Sequence, residues 1–323
     1  MAVVGLGRIG RAHADNLVAR VGSAHLVRVV DRRREVARSC GRALGVPWSA
    51  SWEEALEDGD VEAVVVATPV ASHARLVALA ATAGRHVLCE KPLAPSAAEA
   101  RAAIDAAARA GVRLQVGFQL RADPDVALAR ARIVGGELGT VRFLRATLRD
   151  KAPPSREYRA HAGGLFLDGA VHTLDLARWL VGEIAAVTAV GAPAGAASEV
   201  DTAVLIVRFA GGAIGVLEHS RVAGYGFEFG LEVIGSRAAV RVARNRRTHL
   251  RWLTPGAVTV DHTADFLERF ADAYVLELEA FGAAVRAGAP DGASGEDGLA
   301  AVELAEAAAR SAATGRTVVV REP

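Results

Sequence analysis

Lysine is rare in this chain, and its position makes Lys91 a candidate for chemistry. Of the 38 basic side chains among 323 residues, only Lys91 and Lys151 are lysines. Lys91 stands in Cys89-Glu90-Lys91-Pro92, directly after an apolar run. Lysine offers a compact ammonium whose pKa burial can lower, which arginine does not. The alternative interpretation is an ordinary surface lysine left by compositional bias.

A second group of ionisable residues lies in Gly163-Gly164-Leu165-Phe166-Leu167-Asp168-Gly169-Ala170-Val171-His172-Thr173-Leu174-Asp175. If this segment is helical from about Leu167, then Asp168, His172 and Asp175 share one face. Neutral imidazole can accept a proton near physiological pH, and a nearby carboxylate orients it. The alternatives are a solvent-facing stripe or a histidine that simply pairs with the carboxylate. The two glycines allow close approach to a ligand and favour a site.

The segment Gly5-Leu6-Gly7-Arg8-Ile9-Gly10 has the spacing of a dinucleotide-binding turn. It follows a predicted strand and opens a predicted helix, which is the context that this motif requires. Gly5 permits the tight turn, Gly7 lets the backbone approach a pyrophosphate, and Gly10 lets helix and strand pack closely. The helix amino terminus then offers N–H groups to phosphates. The alternative is a purely structural glycine turn.

Asp31 stands where the acidic partner of such a turn is expected, 21 residues after Gly10 and at the end of the second apolar run. Its carboxylate is expected to bind the adenosine ribose hydroxyls and to repel a 2′-phosphate, which predicts NAD as the cofactor. One of Arg32, Arg33 and Arg34 could instead pair with that phosphate, so NADP stays an alternative.

The elements around these residues predict an α/β fold. Strands alternate with helices through the first third of the chain, as in a Rossmann-type doubly wound parallel sheet. Strand carboxyl ends face the ligand crevice of such a sheet. Thr68-Pro69 and Glu90-Lys91 end two of the strands, so they are expected on the same edge as Gly7.

The pattern changes near residue 120, which predicts a second domain. A helix is expected from Asp123-Pro124, and another over 167–180. Between and after them, apolar runs are separated by turns such as Gly211-Gly212, a hairpin signal. We therefore predict a dinucleotide-binding domain over 1–120. Residues 121–323 form an α+β domain for substrate binding and oligomerisation, with a large, mostly antiparallel open-faced sheet and terminal helices that can pack back on the first domain.

Composition excludes several classes of protein. The net charge is +1 and basic residues are scattered, so neither nucleic acid nor a membrane surface is expected as a partner. Five arginines between Arg241 and Arg251 are interpreted as an exposed strand pair. Cys40 and Cys89 make no disulfide framework, and no Cys/His cluster has metal-ligand spacing, so no metal is expected. No apolar run has transmembrane length, and the chain opens directly on a strand without a signal peptide. A cytoplasmic protein is predicted.

These motifs together resemble the glucose-fructose oxidoreductase / inositol dehydrogenase / rhizopine-catabolism family over nearly the whole chain. The resembling segments are Gly5 to Gly10, Ala67-Thr68-Pro69 with Ser72-His73, Glu90-Lys91-Pro92, and Gly163-Gly164 with Asp168 and His172. Within the family, the segments 115–123, 149–154 and 168–180 are most similar to inositol dehydrogenases. The resemblance implies NAD-dependent oxidation of a secondary hydroxyl on a cyclic polyol, foremost myo-inositol.

The resemblance also implies roles for individual residues. His172 would accept the hydroxyl proton, Lys91 would hydrogen-bond the reacting oxygen, and Asp168 would orient His172 or hold a neighbouring hydroxyl. The residues implied at the cofactor are Gly5, Gly7, Arg8, Ile9, Gly10, Asp31, Arg32, Thr68, Pro69, His73 and Glu90. Weaker candidates for substrate contact are Arg121, Asp123, Asp150, Tyr158 and Tyr225.

Two segments depart from the inositol dehydrogenase pattern, at Gln119-Leu120 with Ala122 and at Phe227-Glu228-Phe229. Both are expected to line the substrate pocket, so another sugar or inositol derivative stays an alternative substrate. The remaining interpretations are a non-catalytic NAD-binding regulator and a generic nucleotide-binding protein. Apolar runs such as 203–209 and 213–217 predict an uncovered sheet face and hence a homo-oligomer, a dimer or tetramer.

Overall fold

The fold is taken from a computed structural model, which describes residues 1–193, 199–243, 245–248, 250–288 and 292–321. Positions 244 and 249 of the arginine-rich segment lie outside these ranges. In chain order the strands are β1 (Ala2–Val4), β2 (Arg28–Val30), β3 (Trp48–Ser49), β4 (Ala63–Val66), β5 (His86–Glu90), β6 (Leu114–Gly117), β7 (Val141–Arg149), β8 (Ile184–Pro193), β9 (Val200–Phe209), β10 (Ile214–Ser220), β11 (Glu228–Gly235), β12 (Ala239–Val242), β13 (Arg251–Thr254), β14 (Ala257–Val260), β15 (Ala293–Ser294) and β16 (Val318–Val319).

The helices alternate with the strands in the first part of the chain and dominate its end. They are α1 (Arg8–Ala19), α2 (Arg34–Leu44), α3 (Glu53–Glu57), α4 (His73–Thr82), α5 (Ala97–Ala110), α6 (Pro124–Val134), α7 (Arg156–Arg159), α8 (Val171–Val181), α9 (Phe266–Arg269), α10 (Ala271–Ala287) and α11 (Gly295–Thr314). In the described ranges, every helix is too short or too polar to cross a membrane.

The chain divides into two compact units. Unit 1 comprises residues 1–122 and 272–302, and unit 2 comprises residues 123–271 and 303–323. The segment 272–302 therefore belongs with the first unit although it follows most of the second in sequence. A domain boundary directly after residue 120 stays a prediction.

Unit 1 is built on a parallel sheet in the order β6-β5-β4-β1-β2-β3, with β15 added antiparallel beside β6. This is the strand order of a doubly wound dinucleotide-binding fold, so the predicted architecture is confirmed. The strands are short and apolar because both faces are covered; all four residues of β4 are buried. Helices α1, α2 and α10 contribute Leu17, Cys40 and Phe281 to the core on one side.

Local sequence signals account for the helix ends. Ser96 caps α5, since its hydroxyl accepts from the Glu99 N–H at 3.3 Å and donates to the Glu99 carboxylate at 3.0 Å. Asp123 caps α6, where its carboxylate accepts from the N–H groups of Asp125 and Val126. Pro124 fills the first turn of α6, where no backbone donor is needed.

Unit 2 is built on a second sheet in the order β12-β11-β7-β10-β9-β8-β16. Its strand pairs are antiparallel except for β7 and β10, which run parallel. The predicted hairpin joins β9 to β10, where Gly212 adopts a positive φ of 86°. The prediction of a mostly antiparallel sheet is confirmed.

Burial alternates along the strands of this second sheet. Ala203, Leu205 and Val207 of β9 are buried, and α8 packs against β7 and β10. The alternate side chains of β9 point to the other face and are exposed, with 43% of the surface of Val204 and 49% of that of Ile206 accessible to solvent. One face of the sheet in unit 2 therefore presents aliphatic side chains to solvent.

Two helical segments differ from a regular α-helix. The helix expected over 167–180 begins with a π-helical turn over Phe166–Ala170 and becomes α-helical at Val171. Because a π turn holds one more residue than an α turn, Asp168 and His172 do not have the simple i, i+4 relation expected from the sequence. Gly169 fits this turn, since a Cβ there would lie 3.3 Å from Leu165 Cδ1. The other helix begins with a 3₁₀ turn over Val70–Ser72.

Candidate active site

The glycine turn between β1 and α1 is held together by backbone contacts. A Cβ at Gly10 would lie 1.8 Å from the Gly5 carbonyl oxygen, and one at Gly5 would lie 2.6 Å from the Ala67 carbonyl oxygen. Gly5 also has a φ of 86°. A Cβ at Gly7 would meet nothing within 4 Å, so the glycine at this position leaves open space above the turn.

The same turn has the features that a dinucleotide phosphate requires. Gly7 is the amino-terminal cap of α1, no side chain caps that end, and the first turn of the helix carries no acidic residue. The N–H groups of Arg8, Ile9 and Gly10 therefore begin a helix whose positive dipole end is not neutralised. These residues fit an anionic pyrophosphate bound across Gly7.

Asp31 closes the turn from the end of β2. One carboxylate oxygen accepts from the Leu6 N–H at 2.9 Å, and the Arg33 guanidinium binds both oxygens at 2.9 and 3.0 Å. Burial alone would raise the pKa of Asp31, but the hydrogen bonds from Arg33 and Leu6 outweigh it and lower that pKa. The ionised carboxylate suits ribose hydroxyls. Arg33 is the arginine that pairs with it, and contact of Arg32 with the cofactor stays a prediction.

A buried histidine joins the turns that follow β4 and β5. His73 lies 2.7 Å through Nε2 from the Thr68 carbonyl oxygen and 2.8 Å through Nδ1 from the Pro92 carbonyl oxygen. Burial lowers the pKa of His73, against the effect of these two hydrogen bonds. The structure thus brings Thr68, Pro69 and Lys91-Pro92 to one edge of the sheet. Direct contact of His73 with a cofactor stays a prediction.

Glu90 ends β5 and is buried, with 7% of its surface exposed. Its Oε1 lies 2.7 Å from His13 Nε2, and its Oε2 accepts from the Lys91 N–H at 3.3 Å. The Lys91–Pro92 peptide bond is cis. Glu90 is thereby engaged inside unit 1, and its assignment as a cofactor contact stays a prediction.

In unit 2, Asp168 is the centre of a hydrogen-bonded group. Its Oδ1 accepts from the Tyr158 hydroxyl at 2.9 Å, and its Oδ2 accepts from Arg221 at 2.8 Å. Arg221 is only 2% exposed and also contacts the Gly164 carbonyl oxygen at 3.4 Å and Glu199 at 3.5 Å. The guanidinium therefore ties the glycine turn to Asp168 and keeps a positive charge beside that carboxylate.

His172 follows in the first turn of α8 and is 8% exposed. Its neighbour Thr173 donates to the Ala170 carbonyl oxygen and lies 2.7 Å from His219 Nε2. Burial, together with the charge of Arg221, lowers the pKa of His219 to about 3, so this imidazole stays neutral. His219 thus supports the backbone that positions His172.

Several predicted substrate residues have structural partners. Within unit 2, Asp123 pairs with Arg269 at 2.7 Å, and both are buried. Within unit 1, Arg121 donates to Asp297 at 3.2 Å. A buried ion pair needs both partners, so these contacts give Asp123 a structural task. Substrate contact by Asp123 and Arg121 stays a prediction.

Two further candidates lie near the end of β10. The Asp150 N–H donates to the Ser220 carbonyl oxygen at 2.7 Å, and the Asp150 carbonyl accepts from Ala223 at 2.9 Å. Tyr225 is 58% exposed and hydrogen-bonds Arg149 and Glu228. Substrate contact by Asp150 and Tyr225 likewise stays a prediction.

The expectation that Phe227 and Phe229 line a substrate pocket is wrong. They are 1% and 0% exposed, and both pack edge-to-face against Phe270. These rings build the core of unit 2, since burying aromatic area there is more favourable than presenting it to a polar ligand.

Sequence reasoning missed four buried polar residues, His13, Glu277, His219 and Arg221. The alternation of β10 could have indicated His219, because it shares the buried face of that strand with Gly215 and Leu217. The others depend on partners far along the chain, such as Asp168, 53 residues before Arg221.

Comparison with known proteins places both units. Residues 1–118 match the model described as "Oxidoreductase family, NAD-binding Rossmann fold", and residues 130–320 match "Oxidoreductase family, C-terminal alpha/beta domain". The chain is 37% identical to the scyllo-inositol 2-dehydrogenase (NAD(+)) of Bacillus subtilis, over 98% of this chain and 95% of that protein. It is also 37% identical to the myo-inositol 2-dehydrogenase of Thermotoga maritima, over 100% of this chain and 98% of that one.

A solved structure extends the likeness to a ligand complex. The scyllo-inositol dehydrogenase of Lactobacillus casei with bound NAD(H) and scyllo-inositol superposes with a TM-score of 0.92 at 26% identity, covering 99% of this chain and 98% of that chain.

The glycine turn offers a matched pair of substitutions. Gly10→Ala should destabilise the protein by several °C or prevent folding, because its Cβ would overlap the Gly5 carbonyl oxygen at 1.8 Å. Gly7→Ala should leave the melting temperature within about 2 °C but weaken NAD binding at least tenfold, because the methyl group occupies the phosphate approach. Thermal unfolding and NAD titration of both variants test this. A Gly7→Ala variant that binds NAD normally would contradict the assignment.

Proposed function

Because this chain belongs to the GFO_IDH_MocA oxidoreductase family, we propose that it is an NAD-dependent dehydrogenase that oxidises a secondary hydroxyl of a cyclic polyol. The inositols are the proposed substrate class, with myo-inositol first. Two relatives support this class, a scyllo-inositol and a myo-inositol 2-dehydrogenase, which align with nearly the whole chain at 37% identity.

The observation that carries the proposal is the hydrogen-bonded group around Asp168. A dinucleotide-binding fold alone needs no buried arginine paired with Asp168, four residues before the histidine of α8. Burying such charges costs free energy unless they are paired, and function is a common reason to retain them. A non-catalytic regulator would leave the group without a task, so we favour an enzyme.

The roles divide among three side chains. His172 accepts the proton of the substrate hydroxyl, which leaves its oxygen with developing negative charge. Lys91 donates a hydrogen bond to that oxygen and stabilises the charge. Asp168 accepts hydrogen bonds from Arg221 and Tyr158, and it orients His172 or binds a neighbouring hydroxyl. NAD⁺, when bound, accepts the hydride that leaves the carbon, so that the alcohol becomes a ketone.

NAD is the proposed physiological cofactor. The ionised Asp31 carboxylate would bind the ribose hydroxyls and repel a 2′-phosphate. Arg33 pairs with that carboxylate in this structure, but 61% of its side chain is exposed, so it could turn toward a 2′-phosphate and allow some use of NADP.

We also propose a cytoplasmic location. Both cysteines, Cys40 and Cys89, are free and buried, which suits a reducing compartment.

A substrate panel tests the proposed function. The full-length chain should reduce NAD⁺, followed by its absorbance, with myo-inositol or scyllo-inositol at a higher kcat/KM than with glucose, xylose or linear polyols. NADP⁺ in place of NAD⁺ should lower kcat/KM. If every cyclic polyol is inert while a linear sugar alcohol is oxidised, the substrate class is wrong.

His172→Ala should lower kcat by about 10²–10⁴-fold, the usual contribution of a positioned proton acceptor, while the Kd for NAD stays near that of the wild type. The exposed His25 provides a matched control, and His25→Ala should leave both quantities unchanged.

Lys91→Arg should also lower turnover, since the larger guanidinium cannot take the place of a compact ammonium. Full activity in either active-site variant would remove that residue from the mechanism.

We further propose that the chain forms a homo-oligomer, a dimer or tetramer, through the uncovered face of the sheet in unit 2. Val190, Val204, Ile206 and Ile214 expose between 43% and 71% of their surface on these strands. Exposed aliphatic patches commonly mark association sites.

Light scattering of the full-length chain should therefore give two or four times the monomer mass of 33.5 kDa. Ile206→Glu should shift the protein to lower mass, because a charge on the face would have to be desolvated on association. Leu128→Glu, at a comparably exposed position on α6, is the control and should keep the oligomer. A monomeric wild type would disprove the proposal.

A further inference from the structure

Unit 1 buries three ionisable side chains against one another. They are His13 on α1, Glu90 at the end of β5 and Glu277 on α10, with 0%, 7% and 4% of their surfaces exposed. One nitrogen or oxygen atom from each lies within 4.8 Å of the other two. Glu90, one member of the cluster, directly precedes Lys91 in the chain. None of the proposed catalytic steps uses the cluster.

Glu90 is fixed from several sides. Its Oε1 is 2.7 Å from His13 Nε2, a distance that requires one proton between the two atoms. Its Oε2 accepts from the Lys91 N–H at 3.3 Å. On a third side, a Cβ at Gly117 would lie only 3.2 Å from the Glu90 Cδ, so the glycine makes room for the carboxyl group.

Glu277 brings a second carboxyl group to the same place. Within the described ranges, neither its Oε2 nor the Nδ1 of His13 has a hydrogen-bond partner, although both atoms are buried. Burial and the neighbouring Glu90 carboxylate raise the pKa of Glu277 well above its ordinary value. Two ionised carboxylates this close in an apolar interior would repel each other, and one shared proton removes that repulsion.

The other groups facing the cluster do not change this balance. The Tyr274 ring meets the His13 ring edge-on at 5.7 Å and brings no charge. Burial has the larger effect on His73 and lowers its pKa, whereas the Glu90 carboxylate raises that pKa. Lys91 meets the cluster through its backbone N–H, which donates to Glu90.

We propose that His13, Glu90 and Glu277 form a proton-sharing cluster of positioning residues, in which Glu277 is the neutral acid and Glu90 holds the backbone of Lys91. The part that concerns turnover rests on the proposed function, because it assigns Lys91 to the reacting oxygen. The protonation of Glu277 is independent of it. The geometry favours a proton over a metal ion, since two ligands of one tetrahedral ion lie roughly 3.4 Å apart, further than the 2.7 Å between His13 and Glu90.

Stability against pH tests the protonation state. In the unfolded chain Glu277 loses its proton near its ordinary pKa of 4.5, whereas the folded chain retains it. Above that pH, loss of this proton stabilises the unfolded state relative to the folded state. The folding equilibrium constant of the wild type therefore falls by up to about tenfold per pH unit until the folded chain also titrates. Glu277→Gln, an isostere of the neutral acid, lacks this loss.

The melting temperature of Glu277→Gln should therefore rise relative to the wild type as the pH increases from 5 to 8. Glu57→Gln, an exposed glutamate in unit 1, is the matched control and should show no such trend. A Glu277→Gln difference that does not change with pH overturns the proposal. So does an increase in wild-type melting temperature with Mn²⁺ or Zn²⁺ that Glu277→Gln abolishes, since that would show a cation site.

Turnover tests the positioning role. Glu277→Leu, which cannot share a proton, should lower kcat roughly 10- to 100-fold by displacing Lys91, with the KM for NAD little changed. Glu277→Gln should rescue most of that loss. Equal losses in both variants overturn the positioning role. If the wild type oxidises no cyclic polyol, the proposed function fails, while the melting curves still decide the protonation of Glu277.

Discussion

Close backbone contact at the carboxyl edge of the parallel sheet is the constraint on which unit 1 depends. The turn after β1 folds so tightly that Gly10 leaves no room for a methyl group beside Gly5, and Gly5 leaves none beside Ala67. These contacts bring the turns after β1 and β4 together, and His73 then links the turn after β4 to the turn after β5. Main-chain contacts thus define this edge of the sheet, and side chains such as Asp31 hydrogen-bond to it.

Unit 2 meets a different constraint, because its polar residues must be buried at acceptable cost. Asp168 is partly buried, and the donors that Arg221 and Tyr158 supply to its two oxygens offset the cost of burying its charge. Arg221 in turn also contacts Gly164, so one guanidinium holds the glycine turn and the segment proposed for catalysis. The π turn at Phe166–Ala170 carries Asp168 at this point and sets where α8 begins. Both units thus place ionisable groups through buried neighbours that have no contact role in the proposed chemistry.

Much of the fold could be predicted from the sequence because the signals are local. The signals include the cap and proline that start α6 and the hairpin at Gly212. Each depends on residues within a few positions of one another. The doubly wound parallel sheet follows from the alternation of strands and helices, whereas the order of its strands comes from the structure. The π turn was missed, since one extra residue in a helical turn leaves no mark on apolar periodicity.

The sequence by itself determined the family, the dinucleotide turn with Asp31, and the three residues proposed for catalysis, because each is carried by residue types at short, fixed spacings. Only the tertiary structure decided which buried groups surround them. His13 meets Glu90 across 77 residues, and Arg221 meets Asp168 across 53. Tertiary structure also moved Phe227 and Phe229 from an expected pocket wall into the core. The physical reason is that short-range steric and hydrogen-bonding preferences act on neighbours in the chain, whereas the cost of burying charge is settled only when distant segments pack.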